Sequence, residues 1–175
     1  MSSLSWVGRG DLAGLSCPYC GRRISPDDEG MVAAEQAWGF VGASLSLHGE
    51  RTGLLLLAPV PETGDALLTC LWVAPGRTGR GRGRRLVQAA AAGLLSRDVG
   101  AIVARGSRVK KDCGTPPADF LRAVGFSKGL DERLYRLDLD TTVTERSGLR
   151  ALLARLVGAW RPLGPEPVGR VSREG

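Results

Sequence analysis

Between two apolar runs the chain reads Val73-Ala74-Pro75-Gly76-Arg77-Thr78-Gly79-Arg80-Gly81-Arg82-Gly83-Arg84-Arg85-Leu86. Glycines at alternate positions let the backbone curl until successive N–H groups point into one concavity, and a helix start placed just after it adds partial positive charge. Arg84 and Arg85 fall in the first turn of the helical run that follows, where the helix dipole disfavours cations unless an anion is bound there. The chemistry this spacing points to is the holding of a phosphate. Thr78, Gly79, Arg80, Gly81, Arg82 and Gly83 would enclose the anion and Arg84 would meet a phosphate oxygen. A plain tight turn also uses glycine, but the interleaved arginines favour the cradle. A nucleotide-hydrolysing loop needs Gly-x4-Gly-Lys-Ser/Thr, and no lysine or hydroxyl residue follows Gly83. A dinucleotide fingerprint needs Gly-x-Gly-x-x-Gly, whereas here the third glycine comes one residue early.

The cysteines are the second group with chemistry. Cys17-Pro18-Tyr19-Cys20-Gly21 has the shape of half a zinc ribbon, two thiols on a tight turn closed by glycine. A tetrahedral site needs two more ligands, and only Cys70, Cys113 and His48 remain, with no second Cys-x-x-Cys. Cys70, in an apolar run, reads as a small core residue. Three readings of Cys17 and Cys20 stand side by side. Reduced structural thiols come first, so no metal ligand is assigned. Zinc held with Cys113 and a fourth group comes second, and a redox or thiol-transfer role third.

The elements that must position these groups follow from periodicity. Ser25-Pro26-Asp27-Asp28-Glu29 reads as a helix start, and the helix is expected to run to about Val41. Ser44 to His48 and Gly53 to Ala58 flank Gly49-Glu50-Arg51 as a hairpin. Ala66 to Val73, nearly all apolar, reads as a buried strand. The cradle and a helix from Arg84 to Ser96 come next, then a strand at Ala101 to Ala104. Pro116 and Pro117 open a short helix in which Phe120 and Val124 share a face before Gly125. Leu134 to Leu139 alternates like a half-exposed strand. Leu149, Leu152, Leu153, Leu156 and Val157 mark the apolar face of a helix from Thr144 to Trp160, suited to packing over the sheet or to a homodimer contact. Pro162, Pro165 and Pro167 mark the remainder, residues 161–175, as a disordered tail, leaving 1–160 as a single domain.

The pattern from Val73 to Leu86 resembles the acetyl-CoA signature of the GNAT superfamily of N-acetyltransferases, in which Gln/Arg-x-x-Gly-x-Gly/Ala holds the cofactor's pyrophosphate on backbone amides. Gly81 and Gly83 match, while Thr78 stands at the Gln/Arg position. Ala118-Asp119-Phe120-Leu121-Arg122-Ala123-Val124-Gly125-Phe126 is similar to the family's downstream helix-to-strand element. The early Cys-x-x-Cys and the later Cys113 ahead of Pro117-Ala118-Asp119-Phe120 resemble a bacterial GNAT-like group. The resemblance implies an α/β fold: a mixed, largely antiparallel sheet with a splayed central strand, helices on both faces, and here an added C-terminal helix. It implies acetyl-CoA as co-substrate, backbone contacts from Leu71 and Val73 to pantetheine, and transfer of an acetyl or short acyl group to a small-molecule or protein amine. The family's frequent tyrosine proton donor is replaced by Leu121, and the glutamate base often found on the central strand has no counterpart in Leu67 to Leu71. His48, Glu35 and Asp119 remain as candidate bases with no spacing that singles one out, so no catalytic residue is assigned.

Composition agrees with a soluble globular protein: of the 175 residues, 43% are hydrophobic and 24% charged. The net charge of +6 is mostly arginine and suits an anionic ligand. An arginine-glycine RNA-binding segment is the competing class, but aromatics are 5% and none interleaves with the arginines. A non-catalytic acyl-CoA sensor is the other alternative. No basic-then-apolar leader opens the sequence, and Leu54 to Ala58 is too short to span a bilayer, so the expected location is cytoplasmic with no membrane partner.

Overall fold

The structure, a computed structural model, describes residues 2–108 and 112–139. The predicted helix over 144–160 and the tail over 161–175 lie outside the described residues. A seven-stranded sheet runs in the order β1 (Ser2–Val7), β2 (Gly42–Leu47), β3 (Glu50–Pro59), β4 (Ala66–Val73), β5 (Ala101–Arg105), β7 (Leu134–Asp138) and β6 (Ser127–Lys128). Every neighbouring pair is antiparallel except β4 and β5, which run parallel. Three helices complete the described fold: α1 (Glu29–Trp38), α2 (Arg82–Leu95) and α3 (Ala118–Ala123). No helix of the described residues is long and apolar enough to cross a membrane.

The helices cover both faces. A side chain on Gly30 of α1 would meet Ala58 of β3, whereas Leu86 of α2 reaches Gly53 of the same strand. Gly53 and Ala58 are five residues apart in continuous strand and therefore face opposite ways. Leu54 to Leu57 are buried on both faces, as a central strand between two helical layers requires. Gly93 accommodates the indole of Trp6, fixing α2 over the β1 edge.

The central strand is bent and then released. Leu56 pairs with Cys70 and Leu57 with Leu68, so Thr69 is an extra residue on β4, a bulge that bends the strand. Parallel pairing with β5 is confined to Ala66 with Ile102 and Leu67 with Val103. Beyond Thr69 the two strands part, which is the splay that the family resemblance implies.

The parallel pair is clamped at its start. Asp65, 5% exposed, accepts from Arg136 of β7 at 2.5 Å, and Arg136 also donates to Asp138 at 2.7 Å. The hydrogen bond to Asp65 foremost, then that to Asp138, holds the guanidinium's pKa above its usual value. Arg136→Met leaves the Asp65 carboxylate buried without its cation. The expected loss is about 1–2 kcal/mol, discounted for the half-exposed arginine and measured by urea unfolding at neutral pH.

Some sequence expectations are corrected. The first helix begins at Glu29 rather than at Pro26, because Asp28 is the residue whose carboxylate accepts from Gly30 N–H. It ends at Trp38 rather than Val41, since Gly39 turns left-handed with φ +79°. The hairpin turn is His48-Gly49, both at positive φ as a two-residue turn requires, and Leu47 pairs directly with Glu50. The cradle helix begins two residues earlier than Arg84. β1 and β6 were not anticipated: β1 alternates for only six residues, and β6 is only two residues long.

Candidate functional site

A cleft of about 440 Å³ opens where β4 leaves β5. Leu71, Trp72 and Val73 line it from the strand, Gly76, Thr78 and Gly83 from the loop, and Phe120 from α3. Tyr19, Asp112, Cys113, Pro116 and Pro117 close the remaining sides.

The cradle takes its shape from glycine. Gly76, Gly79 and Gly81 have φ of +74°, +77° and +70°, the left-handed region that disfavours a side chain. Gly81 is the N-cap of α2 and supplies no side-chain acceptor, and the first turn of the helix contains no acid. The amides of Arg82, Gly83 and Arg84 thus belong to a helix start with no capping side chain, the arrangement in which a bound anion is stabilised. Gly83 has a different reason: a Cβ there would stand 2.9 Å from the Phe120 ring. Phe120 and the cradle therefore touch directly, joining the two sequence motifs into one wall.

The arginines are partly committed to shaping the loop. Arg82 donates to the Arg77 carbonyl at 2.8 Å, Arg84 to the Ala123 carbonyl at 2.9 Å, and Arg85 to the Ser2 hydroxyl at 3.1 Å. Arg84 thus ties the start of α2 to the end of α3. The arginine-glycine segment is a folded turn and helix start, unlike the extended strand-coating form of an RNA-binding tract.

Leu71 and Val73 turn their backbone groups toward the cleft. Leu71 N–H donates to the Cys113 carbonyl at 2.7 Å, and the Val73 carbonyl accepts from Tyr19 Oη at 2.6 Å. In a strand the N–H and C=O of one residue share an edge, so Leu71 C=O and Val73 N–H also face the splay. Trp72 Nε1 is buried without a hydrogen-bond partner among the described residues.

The three candidate bases are not brought together. His48 is exposed in the hairpin turn. Glu35 accepts from the backbone N–H of Arg9 at 2.9 Å and from its Nε at 2.8 Å, and these bonds, the backbone one foremost, hold its carboxyl below the usual range. Asp119 is exposed and paired with Arg122 at 2.5 Å. None of the three lines the cleft. Among the described residues the acid that does is Asp112, which no sequence motif singles out. Its Oδ1 accepts from Gly114 N–H at 2.8 Å in a tight turn in which Thr115 N–H returns to the Asp112 carbonyl. Its only sequence signal is its place beside Cys113. Leu121, where the family often carries tyrosine, is fully buried.

The cysteines converge. The sulfurs of Cys17, Cys20 and Cys113 all lie within 4.8 Å of one another, with Cys20 and Cys113 at 3.6 Å. Cys17 and Cys113 are buried and Cys20 is exposed, and all are free thiols. Backbone N–H groups of Arg22 and then of Cys113 favour the Cys20 thiolate, lowering its pKa to about 7. Burial pushes the Cys70 thiol up to about 12 and raises Cys113 as well.

The sequence model of the acetyltransferase (GNAT) family matches residues 15–126, a span that contains the cradle, the splayed strand and α3. Among solved structures, a GNAT-family protein from Desulfovibrio desulfuricans superposes with a TM-score of 0.59 at 19% identity, over 79% of this chain and 99% of that one. The ribosomal-protein-S18-alanine N-acetyltransferase of Escherichia coli gives 0.54 at 18% identity, over 79% and 94%. The yncA protein of Salmonella typhimurium, solved with its cofactor acetyl-CoA, gives 0.56 at 16% identity, over 80% and 95%. No curated protein matches the sequence. Sequence pattern, sheet topology and family match agree, and the chain belongs to the acetyltransferase (GNAT) family.

Proposed function

We propose that the chain transfers an acetyl or other short acyl group from its coenzyme A thioester to a primary amine. The observation that carries this reading is one continuous cleft. It runs from the uncapped, glycine-shaped start of α2 to the edge of β4 that β5 leaves unpaired beyond Leu67. A phosphate-bearing head with a long amide-containing arm fits these two surfaces in sequence.

The pyrophosphate would sit on the amides of Gly79 to Arg84, with Arg80 supplying charge and Thr78 a hydroxyl. The pantetheine arm would lie along β4, its amides meeting Leu71 C=O and Val73 N–H. The thioester then falls near the turn that holds Asp112 and Cys113. An amine attacks only when unprotonated, and reaction is favoured by holding it in line with the thioester carbonyl. Asp112 is the carboxylate placed to attract an ammonium group and accept its proton. The nitrogen forms a bond to the thioester carbon, the C–S bond breaks, and the thiolate leaves as coenzyme A after gaining a proton. In the yncA protein the same fold holds acetyl-CoA, which supports the cofactor assignment here.

The test is release of coenzyme A thiol from acetyl-CoA across a panel of small amines and peptide N-termini. Turnover with at least one acceptor is expected, and Asp112→Asn should lower kcat by about 100-fold while leaving acetyl-CoA binding intact. Tight acetyl-CoA binding with no turnover for any amine would favour the acyl-CoA sensor reading, consistent with the buried Leu121 in place of a proton-donating tyrosine.

A further inference from the structure

We propose that Cys17, Cys20 and Cys113 hold a single zinc ion that staples two loops over the cleft, with a solvent ligand on the exposed Cys20 side completing its coordination. This goes beyond acyl transfer and does not depend on it. Three thiols from two separate parts of the chain meet at one point: Cys17 and Cys20 from an N-terminal hairpin, and Cys113 from the turn before α3. Tetrahedral zinc with Zn–S bonds of about 2.3 Å places its sulfurs about 3.8 Å apart. The Cys20–Cys113 separation of 3.6 Å and the 4.8 Å limit for the trio lie close to that spacing.

The backbone around Cys17 is built to hold sulfur anions. Cys17 N–H bonds the Arg22 carbonyl at 2.9 Å and Gly21 N–H returns to the Cys17 carbonyl at 3.0 Å, closing a tight knuckle in which Gly21 takes φ +68°. Tyr19 N–H points at Cys17 Sγ at 3.5 Å. Amide donors aimed at sulfur stabilise thiolates, the form that binds metal. The Arg22 guanidinium lies beside Gly114, next to Cys113, where it offsets part of the excess negative charge of a three-thiolate site. Simple burial of thiols explains neither the donors nor the convergence, because an apolar core needs neither. A Cys20–Cys113 disulfide would need a sulfur separation of about 2.05 Å and an external oxidant.

The ion would sit beside the reaction cleft. Tyr19, inside the Cys-x-x-Cys, bonds the Val73 carbonyl, and Cys113 bonds Leu71 N–H. Both cleft-facing residues of β4 are thus tied to loops that carry metal ligands.

The full chain, made in zinc-supplemented medium and purified with reductant but no chelator, is expected to carry one zinc per chain by elemental analysis. Cobalt(II) exchanged into the site should show intense visible bands of tetrahedral geometry together with thiolate charge-transfer absorption. Cys17→Ser and Cys113→Ser should retain less than about a tenth of the metal. Should a variant fail to fold, titrating the wild-type protein with an organomercurial settles the point, since zinc must leave in step with the modified thiols. Metal-free protein that takes up no cobalt, a cobalt spectrum lacking thiolate bands, or a mass showing two hydrogens lost to a disulfide would each overturn the proposal.

Discussion

Gly81→Glu is expected to abolish measurable acetyl-CoA binding in titration calorimetry, with affinity falling at least about 100-fold. Two effects act at this one position. Gly81 has φ +70°, and an L residue held there costs about 1–2 kcal/mol. No atom lies within 4 Å of a Cβ at this position, so the fold itself accepts the side chain. The larger effect is electrostatic. A carboxylate within about 4 Å of a phosphate oxygen at a partly buried helix start is unfavourable by about 4 kcal/mol at an effective dielectric constant of 20. Gly81→Gln separates the two, since it carries the same backbone strain and nearly the same volume without the charge. Gln should bind acetyl-CoA at least about tenfold more tightly than Glu. Equal affinities for wild type and Glu would mean that the phosphates lie elsewhere, and the cradle assignment would fall with them.

The largest stability effect is expected at Gly42, which does not line the cleft. A Cβ there would stand 1.9 Å from the Leu55 carbonyl oxygen and 2.9 Å from its carbon. Both are backbone atoms of β3, so no rotamer change relieves the clash; β2 and β3 must separate. Gly42 also pairs with Val7 on the other side, which prevents the strand from backing away. Gly42→Ala should therefore cost about 3 kcal/mol, the upper end of the overpacking range, and lower Tm by about 6–12 °C for a chain of this size. Gly10→Ala is the control: its added methyl meets nothing within 4 Å, and its φ is not in the left-handed region, so it should leave Tm unchanged. A Gly42→Ala protein with wild-type Tm would show that this strand pair has slack the structure does not display.

Both predictions draw on glycines, but only one of them was legible in the sequence. Gly81 belongs to a local pattern whose flanks, an apolar strand and an alanine-rich helix, can be read over a dozen residues. Gly42 looks like any loop glycine until β3 is laid beside it, because its constraint comes from a partner thirteen residues further along the chain. The acids divide in the same way. Asp112 carries no periodic or motif signal, and it becomes the cleft's carboxylate only because the turn before α3 folds against the open edge of β4. Glu35 and Asp119 lose their candidacy through Arg9 and Arg122, partners whose pairing only the structure reveals.

The sequence by itself determined the elements whose information is local. These are the buried strand ending at Val73, the glycine-shaped turn, the helix after it and the Phe120 helix, and with them the family. Such features rest on side-chain periodicity and on backbone conformations that particular residues favour, so neighbouring residues suffice to specify them. Only the tertiary structure decided which groups meet across long spans of chain. It brought Cys20 within 3.6 Å of Cys113, tied Tyr19 to Val73, set Phe120 against Gly83, and opened the splay through a one-residue bulge at Thr69. Those meetings depend on strand register and on loops closing over a sheet. A register changes with a single inserted residue, and no local pattern along the chain records which distant residue will lie opposite.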